Sequence, residues 1–321
     1  MRVSGSDRVL VESSVEAAGA RKTGGWAVGS VEWPTVSLAA VIYGLWVAAT
    51  FFHDRLPWPL LALAGGWTVA WHGSLQHEII HGHPTRSRRL NTLIGFAPLS
   101  LWLPFEAYRQ SHLAHHATEH LTDPAHDPEA RYLPASAPIV QRWGAALQTT
   151  LLGRLVLGPL IEIGVFWLAE ARRLVRREPG RLRLWAWHGL AVALVIGWLT
   201  LVCHVSLWLY LACFVYPGAA LSLLRSYAEH RADPTPQHRV AVVERAPILG
   251  LLFLHNNLHV AHHDRPGAPW HKLPALYARD RERLLSANGG LVYDGYGEVL
   301  RRFLFSSHDQ AVHPSTDGAA V

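Results

Sequence analysis

Long apolar runs separated by polar and basic segments predict several membrane-spanning helices in this chain. The first run covers residues 36–52, and after the polar break HDRLPWP a second run covers residues 60–75. Counted with its flanks, each run can cross a hydrocarbon core about 30 Å thick at a rise of about 1.5 Å per residue. The two runs therefore predict a helical hairpin in the membrane.

A second pair of spans is predicted in the apolar stretch at residues 184–224, with a turn near residues 204–206. Between the pairs, residues 92–105 contain a proline and are too short for a span, which favours a re-entrant or interfacial segment. Residues 144–168 carry an arginine, a proline and a glutamate, which favours an amphipathic helix in the interface. The chain is thus predicted to be an all-α integral membrane protein with about four transmembrane helices.

Both ends of the chain differ in composition from the apolar middle. Residues 1–32 are rich in Gly, Ser and Glu and lack the apolar core of a signal peptide, so we expect a disordered tail that is not cleaved. Residues 306–321 are expected to form a second disordered tail. Residues 33–305 between them are predicted to be a single membrane domain.

Composition supports a membrane protein and argues against several other classes. Half of the residues are hydrophobic, only 17% are charged, and 14 are tryptophans, which often anchor helices at a membrane interface. The net charge of +5 comes from arginines that flank apolar runs, as in residues 86–89 and 172–183. Such clusters favour an anionic lipid surface, and we expect no nucleic acid partner. The two cysteines lie in an apolar run without a CxxC spacing, which argues against disulfide frameworks, zinc fingers and iron–sulfur sites.

The arginine clusters also predict the orientation of the chain in the membrane. With four spans, residues 77–183 and 225–321 lie on the same side as the N-terminus, and this side carries nearly all of the clusters. The positive-inside rule makes that side cytoplasmic. We therefore expect a cytoplasmic helical cap on a multi-pass protein of a bacterial inner membrane.

Three histidine clusters lie in the segments predicted to be cytoplasmic. His77 and His81 have the spacing HxxxH, and residues 112–116 and 259–263 both have the spacing HxxHH. On a helix, positions i, i+3 and i+4 lie on neighbouring parts of one face, so each cluster presents its imidazoles together. One such motif alone is a weak signal, but three on the same side of a membrane predict a metal site.

The number of histidines indicates more than one metal ion. Eight imidazoles exceed the three or four that one zinc or copper ion binds, so two ions are implied. Adjacent histidines repel each other when protonated and are unfavourable to bury unless something binds them. Nitrogen donors suit iron, zinc or copper, so the spacing alone does not identify the metal.

The order of the three boxes resembles the membrane fatty acid desaturase and hydroxylase superfamily over residues 36–285. The resemblance implies a desaturase-like domain at residues 33–305 in which histidines bind two ferrous ions (Fe²⁺) that activate molecular oxygen. It also implies a further histidine before the third box, which His230 at the end of the fourth predicted span matches best. The ligand set implied in this way is His77, His81, His112, His115, His116, His230, His259, His262 and His263.

The resemblance implies an oxygen-dependent oxidoreductase, and a fatty acid or lipid desaturase that introduces a C=C bond is the leading interpretation. A hydroxylase or ketolase of a carotenoid, an alkane or a small metabolite has the same ligand set and remains an alternative. A metal transporter or a zinc hydrolase is a third hypothesis, although transporters place polar ligands near the membrane midplane, whereas these boxes flank the spans. No electron-carrier motif is visible, so we expect a separate ferredoxin- or rubredoxin-type donor with its reductase.

Several other residues near the boxes are candidates for supporting roles. Carboxylates next to predicted ligands can accept the second N–H of an imidazole; they are Glu78, Glu229 and Asp264. Three more histidines lie near the boxes but are not assigned as ligands, namely His83, His120 and His255. The candidates to line an apolar substrate channel are Trp67, Trp71, Trp102 and Phe105.

Overall fold

The computed structural model describes residues 31–314, which are mostly helical, so the predicted all-α class is confirmed. The helices of the first half are α1 (Trp33–Phe51), α2 (Trp58–Ile80), α3 (Arg88–Gly95), α4 (Phe105–Ala117), α5 (Ile139–Leu147), α6 (Leu151–Val156) and α7 (Gly158–Val175). The helices of the second half are α8 (Arg181–Val202), α9 (Leu207–Glu229), α10 (Pro247–Leu252), α11 (His259–Asp264), α12 (Leu273–Ala287) and α13 (Tyr296–Phe303). Two short strands, β1 (Val242–Val243) and β2 (Val292–Tyr293), pair in parallel.

Three of the described helices, α1, α8 and α9, are long and apolar enough to cross a membrane. They correspond to the first, third and fourth predicted spans, and the predicted turn near residues 204–206 is the break between α8 and α9. The second predicted span forms α2, which has 23 residues but is less apolar because it contains Gly, His and Gln. Most of its second half is buried, since α2 packs between α1 and α9.

The packing around α2 fixes the end of this helix that carries the first histidine box. Leu75 of α2, Tyr227 of α9 and Phe253 belong to one hydrophobic core and are almost completely buried. Full burial of an aromatic or branched side chain of this size stabilises a fold by about 1.5–3 kcal/mol per side chain. Because α2 continues to Ile80, five residues beyond the predicted run, His77 and His81 are held on a packed helix end.

Glycines allow the backbones of α2 and α9 to approach closely. A Cβ atom at Gly65 would lie 2.7 Å from the carbonyl oxygen of Cys213, and one at Gly66 would lie 2.7 Å from Cβ of Pro217. Small residues at helix crossings are common in membrane proteins because van der Waals packing stabilises the contact there. The turn before Pro217, Leu211–Val215, is π-helical, and a proline within a helix removes one backbone N–H donor.

The segment at residues 144–168 differs from the prediction of a single amphipathic helix. It is divided among α5, α6 and α7, with breaks at residues 148–150 and at Leu157. The side chain of Thr150 accepts a hydrogen bond from the backbone N–H of Gly153 and so begins a new helix. The apolar side chains of these helices remain exposed, as in Trp143 at 70% and Leu160 at 63%, so the expected apolar face is present.

Two further predicted segments are the interfacial segment at residues 92–105 and the C-terminal tail. Of the predicted interfacial segment at residues 92–105, the first residues end α3 and the rest is irregular up to α4. Residues 306–313 were placed in the predicted C-terminal tail, yet His308 accepts a hydrogen bond from Arg131 through Nδ1 and donates through Nε2–H to Tyr293 Oη at 2.8 Å. The packed part of the chain therefore extends past the predicted boundary at residue 305. The predicted tails at residues 1–30 and 315–321 lie outside the described residues.

Replacing Gly65 by alanine is expected to lower the stability of the fold by about 1–3 kcal/mol, because the new methyl group meets backbone of α9. Thermal unfolding of the purified protein in detergent measures this effect. The matched control is Gly73→Ala on the same helix, where the nearest atom to the new Cβ is Ser222 Oγ at 3.9 Å. If the two variants unfolded at the same temperature, α2 and α9 would not approach as closely at Gly65 as the structure indicates.

Candidate metal centre

Four parts of the fold bring the histidine boxes together. The end of α2 carries the first box, α4 carries the second and α11 carries the third. His230 follows the last residue of α9 in an extended conformation. All nine histidines predicted as ligands lie in two neighbouring sets, and most of them are buried.

The two sets contain five and four histidines. Within each set the candidate ligand atoms lie within 4.8 Å of one another. The first set is His77, His81, His112, His116 and His262. The second set is His115, His230, His259 and His263. The sets are neighbours, because the ring of His116 stacks on that of His263 with 4.4 Å between the centroids.

Each HxxHH box contributes to both sets. The imidazoles of one box, which were expected to act together, are therefore divided between the two sets. In the second box, His112 and His116 (i and i+4) join the first set, whereas His115 (i+3) joins the second. A helix turns by about 100° per residue, so positions i+3 and i+4 point about 100° apart, on opposite sides of position i. The third box repeats the arrangement with the sets exchanged. The two HxxHH helices therefore lie between the sets and link them.

Hydrogen bonds from the Nδ1 atoms fix the orientation of four rings. His115 Nδ1–H donates to Asp127 Oδ1 at 2.8 Å, and His112 Nδ1–H donates to Glu129 Oε2 at 3.1 Å. In the same way His259 donates to the side-chain oxygen of Asn256 at 3.1 Å. Because the proton of each neutral ring is on Nδ1, the lone pair of Nε2 points into the set.

The carbonyl oxygen of Arg239 fixes the fourth ring, since it accepts from His230 Nδ1–H at 3.1 Å. His230 Nε2 then lies 2.9 Å from His259 Nε2, and both atoms present lone pairs. Burial and the neighbouring His115 lower the pKa of His230 to about 3, and burial with the neighbouring His263 holds the pKa of His259 well below its usual value. Both rings are therefore neutral, and neither Nε2 has a proton to share with the other.

Short distances between Nε2 atoms of two histidines also occur in the first set. The Nε2 atoms of His112 and His81 are 3.0 Å apart, and those of His116 and His262 are also 3.0 Å apart. Two nitrogens bound at right angles to one ion at about 2.1 Å lie about 3.0 Å from each other. The buried Nε2 of His77 has no hydrogen-bond partner among the described residues. The nitrogen atoms of each set are therefore placed as ligands of one metal ion would be.

Burial supports this interpretation of the two sets. Burial lowers the pKa of His116, His262 and His263 well below the ordinary value, and neighbouring imidazoles add to the effect. For His115, burial is the largest effect and opposes protonation, but the hydrogen bond to Asp127 and the charges of Glu129, Asp127 and Glu229 together outweigh it, and the pKa is raised. Neutral imidazoles are the form that binds metal ions.

The residues that orient the rings were largely missed from the sequence. Asp127, Glu129 and Asn256 carry no periodic signal, because the first two lie in the irregular segment after α4 and the third lies in a turn before α11. Of the carboxylates that were predicted, only Glu229 is close to a ring of the sets. It lies 3.5 Å from His259 Nδ1 and accepts a hydrogen bond from Asn256 Nδ2 at 2.8 Å.

The two other predicted carboxylates contact different partners. Glu78 accepts a hydrogen bond from the backbone N–H of Trp270 at 2.9 Å and lies 3.9 Å from His83 Nε2. Asp264 pairs with Arg283 at 2.8 Å near the surface. Among the described residues, neither carboxylate contacts a histidine of the two sets.

The three histidines that were not assigned as ligands lie outside both sets. His255 stacks on Trp270 with 5.9 Å between the ring centroids. His83 donates through Nδ1 to Glu32 at 2.8 Å, and the ring of exposed His120 lies 4.7 Å from that of His126.

A cavity of about 300 Å³, the inner cavity, lies against the two sets. Its wall includes His112 of the first set and His115, His230 and His259 of the second. Of the four aromatic residues predicted to line a channel, Trp102 lines this cavity. Trp71, in contrast, is a core residue that donates through Nε1 to the carbonyl oxygen of Leu251 at 3.0 Å.

Trp67 and Phe105 belong to the core and do not line the inner cavity. Trp67 lies edge-on to Trp71 with 6.4 Å between the ring centroids, and Phe105 is only 3% exposed.

Comparison with known proteins identifies similar sequences. A family model described as fatty acid desaturase matches residues 55–296, a range that includes all nine histidines. A temperature-sensitive sn-2 acyl-lipid omega-3 desaturase (ferredoxin) of Arabidopsis thaliana is 35% identical over 79 residues, which are 24% of this chain and 18% of that protein. An omega-3 fatty acid desaturase of Brassica napus is 33% identical over 79 residues, which are 24% of this chain and 19% of that protein. The chain thus spans less than a fifth of the length of these two curated relatives.

Replacing Asp127 by asparagine is expected to weaken metal binding by about 10–100-fold, because the charged acceptor that orients the ring of His115 becomes a neutral amide. The amide has one acceptor oxygen, whereas the two oxygens of Asp127 accept from His115 and from the backbone N–H groups of Thr122 and Glu129. Metal content is measured by elemental analysis after dialysis against a series of chelator concentrations. The control is Asp123→Asn on the same loop, since Asp123 pairs with exposed His126 outside both sets. The expected result is loss of metal at lower chelator concentration in Asp127→Asn alone, and identical chelator profiles would contradict it.

Proposed function

The chain belongs to the fatty acid desaturase family, and on that premise we propose that it uses two iron ions and molecular oxygen to introduce a C=C bond into a fatty acyl chain. As a desaturase-like membrane enzyme, it needs a strong oxidant held beside an unactivated carbon chain. The observation that carries the proposal is the convergence of nine imidazoles in two adjoining sets beside one cavity. The proposed ligands are the nine histidines of these sets.

Several features of the sets support iron and a pair of ions. Nine nitrogen donors exceed what one ion binds, and the division into five and four gives each ion its own group. Imidazole donors suit redox-active iron. No thiolate competes, because Cys213 is buried within α9 and Cys203 is buried directly after α8. Bound iron supplies the oxygen activation and electron transfer. The protein holds the ring nitrogens in place and positions the carbon that reacts.

We propose that α2 is a fourth span, so that the chain crosses the membrane with α1, α2, α8 and α9. The end of α2 and the end of α9 meet in the histidine sets, so an even number of crossings must lie between them. The crossings of α8 and α9 satisfy this condition. The arginines after α7, such as Arg176 and Arg177, then lie on the same side as the sets, which the positive-inside rule makes cytoplasmic. The membrane proposed is a bacterial inner membrane.

Desaturation also requires a source of electrons. Removing two hydrogens from the substrate and reducing oxygen to two water molecules consumes two further electrons and two protons. We propose that a separate ferredoxin- or rubredoxin-type protein with its reductase supplies these electrons. The name of the Arabidopsis relative includes ferredoxin, which supports a small redox protein as the donor.

The test combines expression in a bacterium that supplies a ferredoxin and reductase with mass spectrometry of lipids and free acids. The expected product is lighter than its precursor by two mass units, whereas a gain of sixteen would indicate hydroxylation and overturn the desaturase assignment. In purified protein, elemental analysis is expected to find iron, and tightly bound zinc without iron would favour a hydrolase instead.

His262→Ala is expected to abolish product formation and to lower the iron content, because it removes a donor from the set of five. Loss of a ligand is expected to weaken binding by more than the roughly 10–100-fold that loss of an orienting partner causes. His120→Ala is the matched control, since His120 is exposed and lies outside both sets. If His262→Ala kept full iron content and activity, the di-iron centre proposed here would be wrong.

A further inference from the structure

Two cavities share a wall beside the histidine sets. The inner cavity reaches the histidines, and a second cavity of about 580 Å³, the outer cavity, lies between α5, α7 and residues 308–311. The residues that line both are Ala130, Arg131, Tyr132, Arg154 and Glu162. The two cavities are therefore neighbours. Three of the five residues in their shared wall carry a charge, which is unfavourable beside an apolar molecule.

Arg154 is the residue of this wall whose hydrogen bonds are incomplete. It is 7% exposed, and its Nη1 donates to Gln148 Oε1 at 2.6 Å and to Glu162 Oε1 at 2.8 Å. Its Nε atom is buried and has no hydrogen-bond partner among the described residues. A buried guanidinium N–H without an acceptor is unfavourable, so the position favours a ligand that brings one.

The charges of the shared wall favour an anion. Arg131 donates to the carbonyl oxygens of Tyr227 at 2.7 Å and His230 at 2.9 Å, which are neutral acceptors. Glu162 is the one carboxylate among the residues that line both cavities, so two arginines face one glutamate there. Burial lowers the pKa of Arg154, the charge of Glu162 opposes this, and the charge of Arg131 adds to it.

We propose that Arg154 binds the carboxylate of a free, medium-chain carboxylic acid, whose hydrocarbon chain lies in the inner cavity against the histidines. This assignment of the substrate class rests on the proposed function, because it makes the inner cavity the place of oxidation. The carbon that reacts then lies only a few bonds from the acid group. The carboxylate bound to Arg154 therefore positions the reacting carbon, and the substrate needs no lipid headgroup for this purpose.

The geometry of the wall favours a carboxylate over other anions. The planar guanidinium fork can bind a carboxylate through two parallel hydrogen bonds, and Glu162 accepts one hydrogen bond from Arg154 Nη1. The side chain of Glu162 is 41% exposed, so it is free to turn toward solvent when a substrate carboxylate takes its place. Glu162 therefore acts as a displaceable substitute for the substrate.

The inner cavity has the size and the surface for the rest of such a molecule. A volume of about 300 Å³ holds roughly ten groups the size of a water molecule or a methylene. Trp102, Phe166 and Leu223 give the cavity an apolar side on which a short chain can pack. Octanoate, with eight carbons and two oxygens, matches this size and serves as the probe.

The experiment measures binding of octanoate, methyl octanoate and octyl phosphate to the purified, iron-loaded protein in lipid nanodiscs by equilibrium dialysis. Empty nanodiscs measure the partitioning of each compound into lipid. Octanoate is expected to bind about tenfold or more tightly than its methyl ester, because the ester lacks the charge that Arg154 recognises. Octyl phosphate is expected to bind more weakly than octanoate.

Two variants test the residue assignment. Arg154→Gln is expected to remove the preference for octanoate over the ester, whereas Arg176→Gln, an exposed arginine outside both cavities, keeps it. Glu162→Gln is expected to bind octanoate about threefold or more tightly, since it removes the competing carboxylate. An increase in affinity cannot result from a failure to fold, so this variant remains informative if Arg154→Gln is unstable.

Three results would overturn the proposed site: equal binding of octanoate and its ester to the unaltered protein, tighter binding of octyl phosphate, or unchanged octanoate affinity in Glu162→Gln. Each of these can occur while the protein still oxidises another lipid with iron, so the proposed function would survive. Conversely, octanoate binding that depends on Arg154 without oxidation of any lipid or acid would leave the carboxylate site intact and count against the oxidase.

Discussion

Hydrogen bonds on the outer side of the imidazole rings determine what the inner side can bind. Asp127, Glu129 and Asn256 accept the Nδ1 protons of three rings, so the Nε2 lone pairs face one another inside the sets. Facing lone pairs about 3 Å apart repel, and a metal ion between them turns the repulsion into binding. This requirement explains why the carboxylate of Asp127 and the amide of Asn256 are buried in a region that an apolar core would otherwise fill.

The positions of the rings depend in turn on the packing of two long helices. α2 and α9 approach closely because Gly65 and Gly66 leave room for the backbone and proline of α9. Both helices end at the same level, where His77 and His230 enter different sets. Leu75 and Tyr227 share a buried core next to these ends, and such packing favours fixed positions for the rings, which a metal site would need to within about 0.5 Å.

The surroundings of the sets give the proposed chemistry its selectivity. The inner cavity reaches four of the histidines, and α6 and α7 supply the wall that separates it from the outer cavity. The helices α5 and α7 expose apolar side chains such as Trp143 and Trp167, so they suit the interface of a membrane. A substrate that reached the inner cavity from this side would meet the charged wall at Arg154, whose guanidinium suits a carboxylate.

The sequence by itself determined the eight histidines of the three boxes as candidate ligands, because helical spacing places HxxxH and HxxHH on helix faces whatever lies around them. His230 came only from the resemblance to a family, since nothing in its local sequence marks it. Tertiary structure alone decided how the boxes divide into two sets and which groups orient the rings. Asp127 and Asn256 reach the histidines through irregular segments, and irregular segments have no periodicity from which a contact can be predicted. For the same reason, the packing of His308 and the charged wall at Arg154 became visible only when distant parts of the chain were brought together.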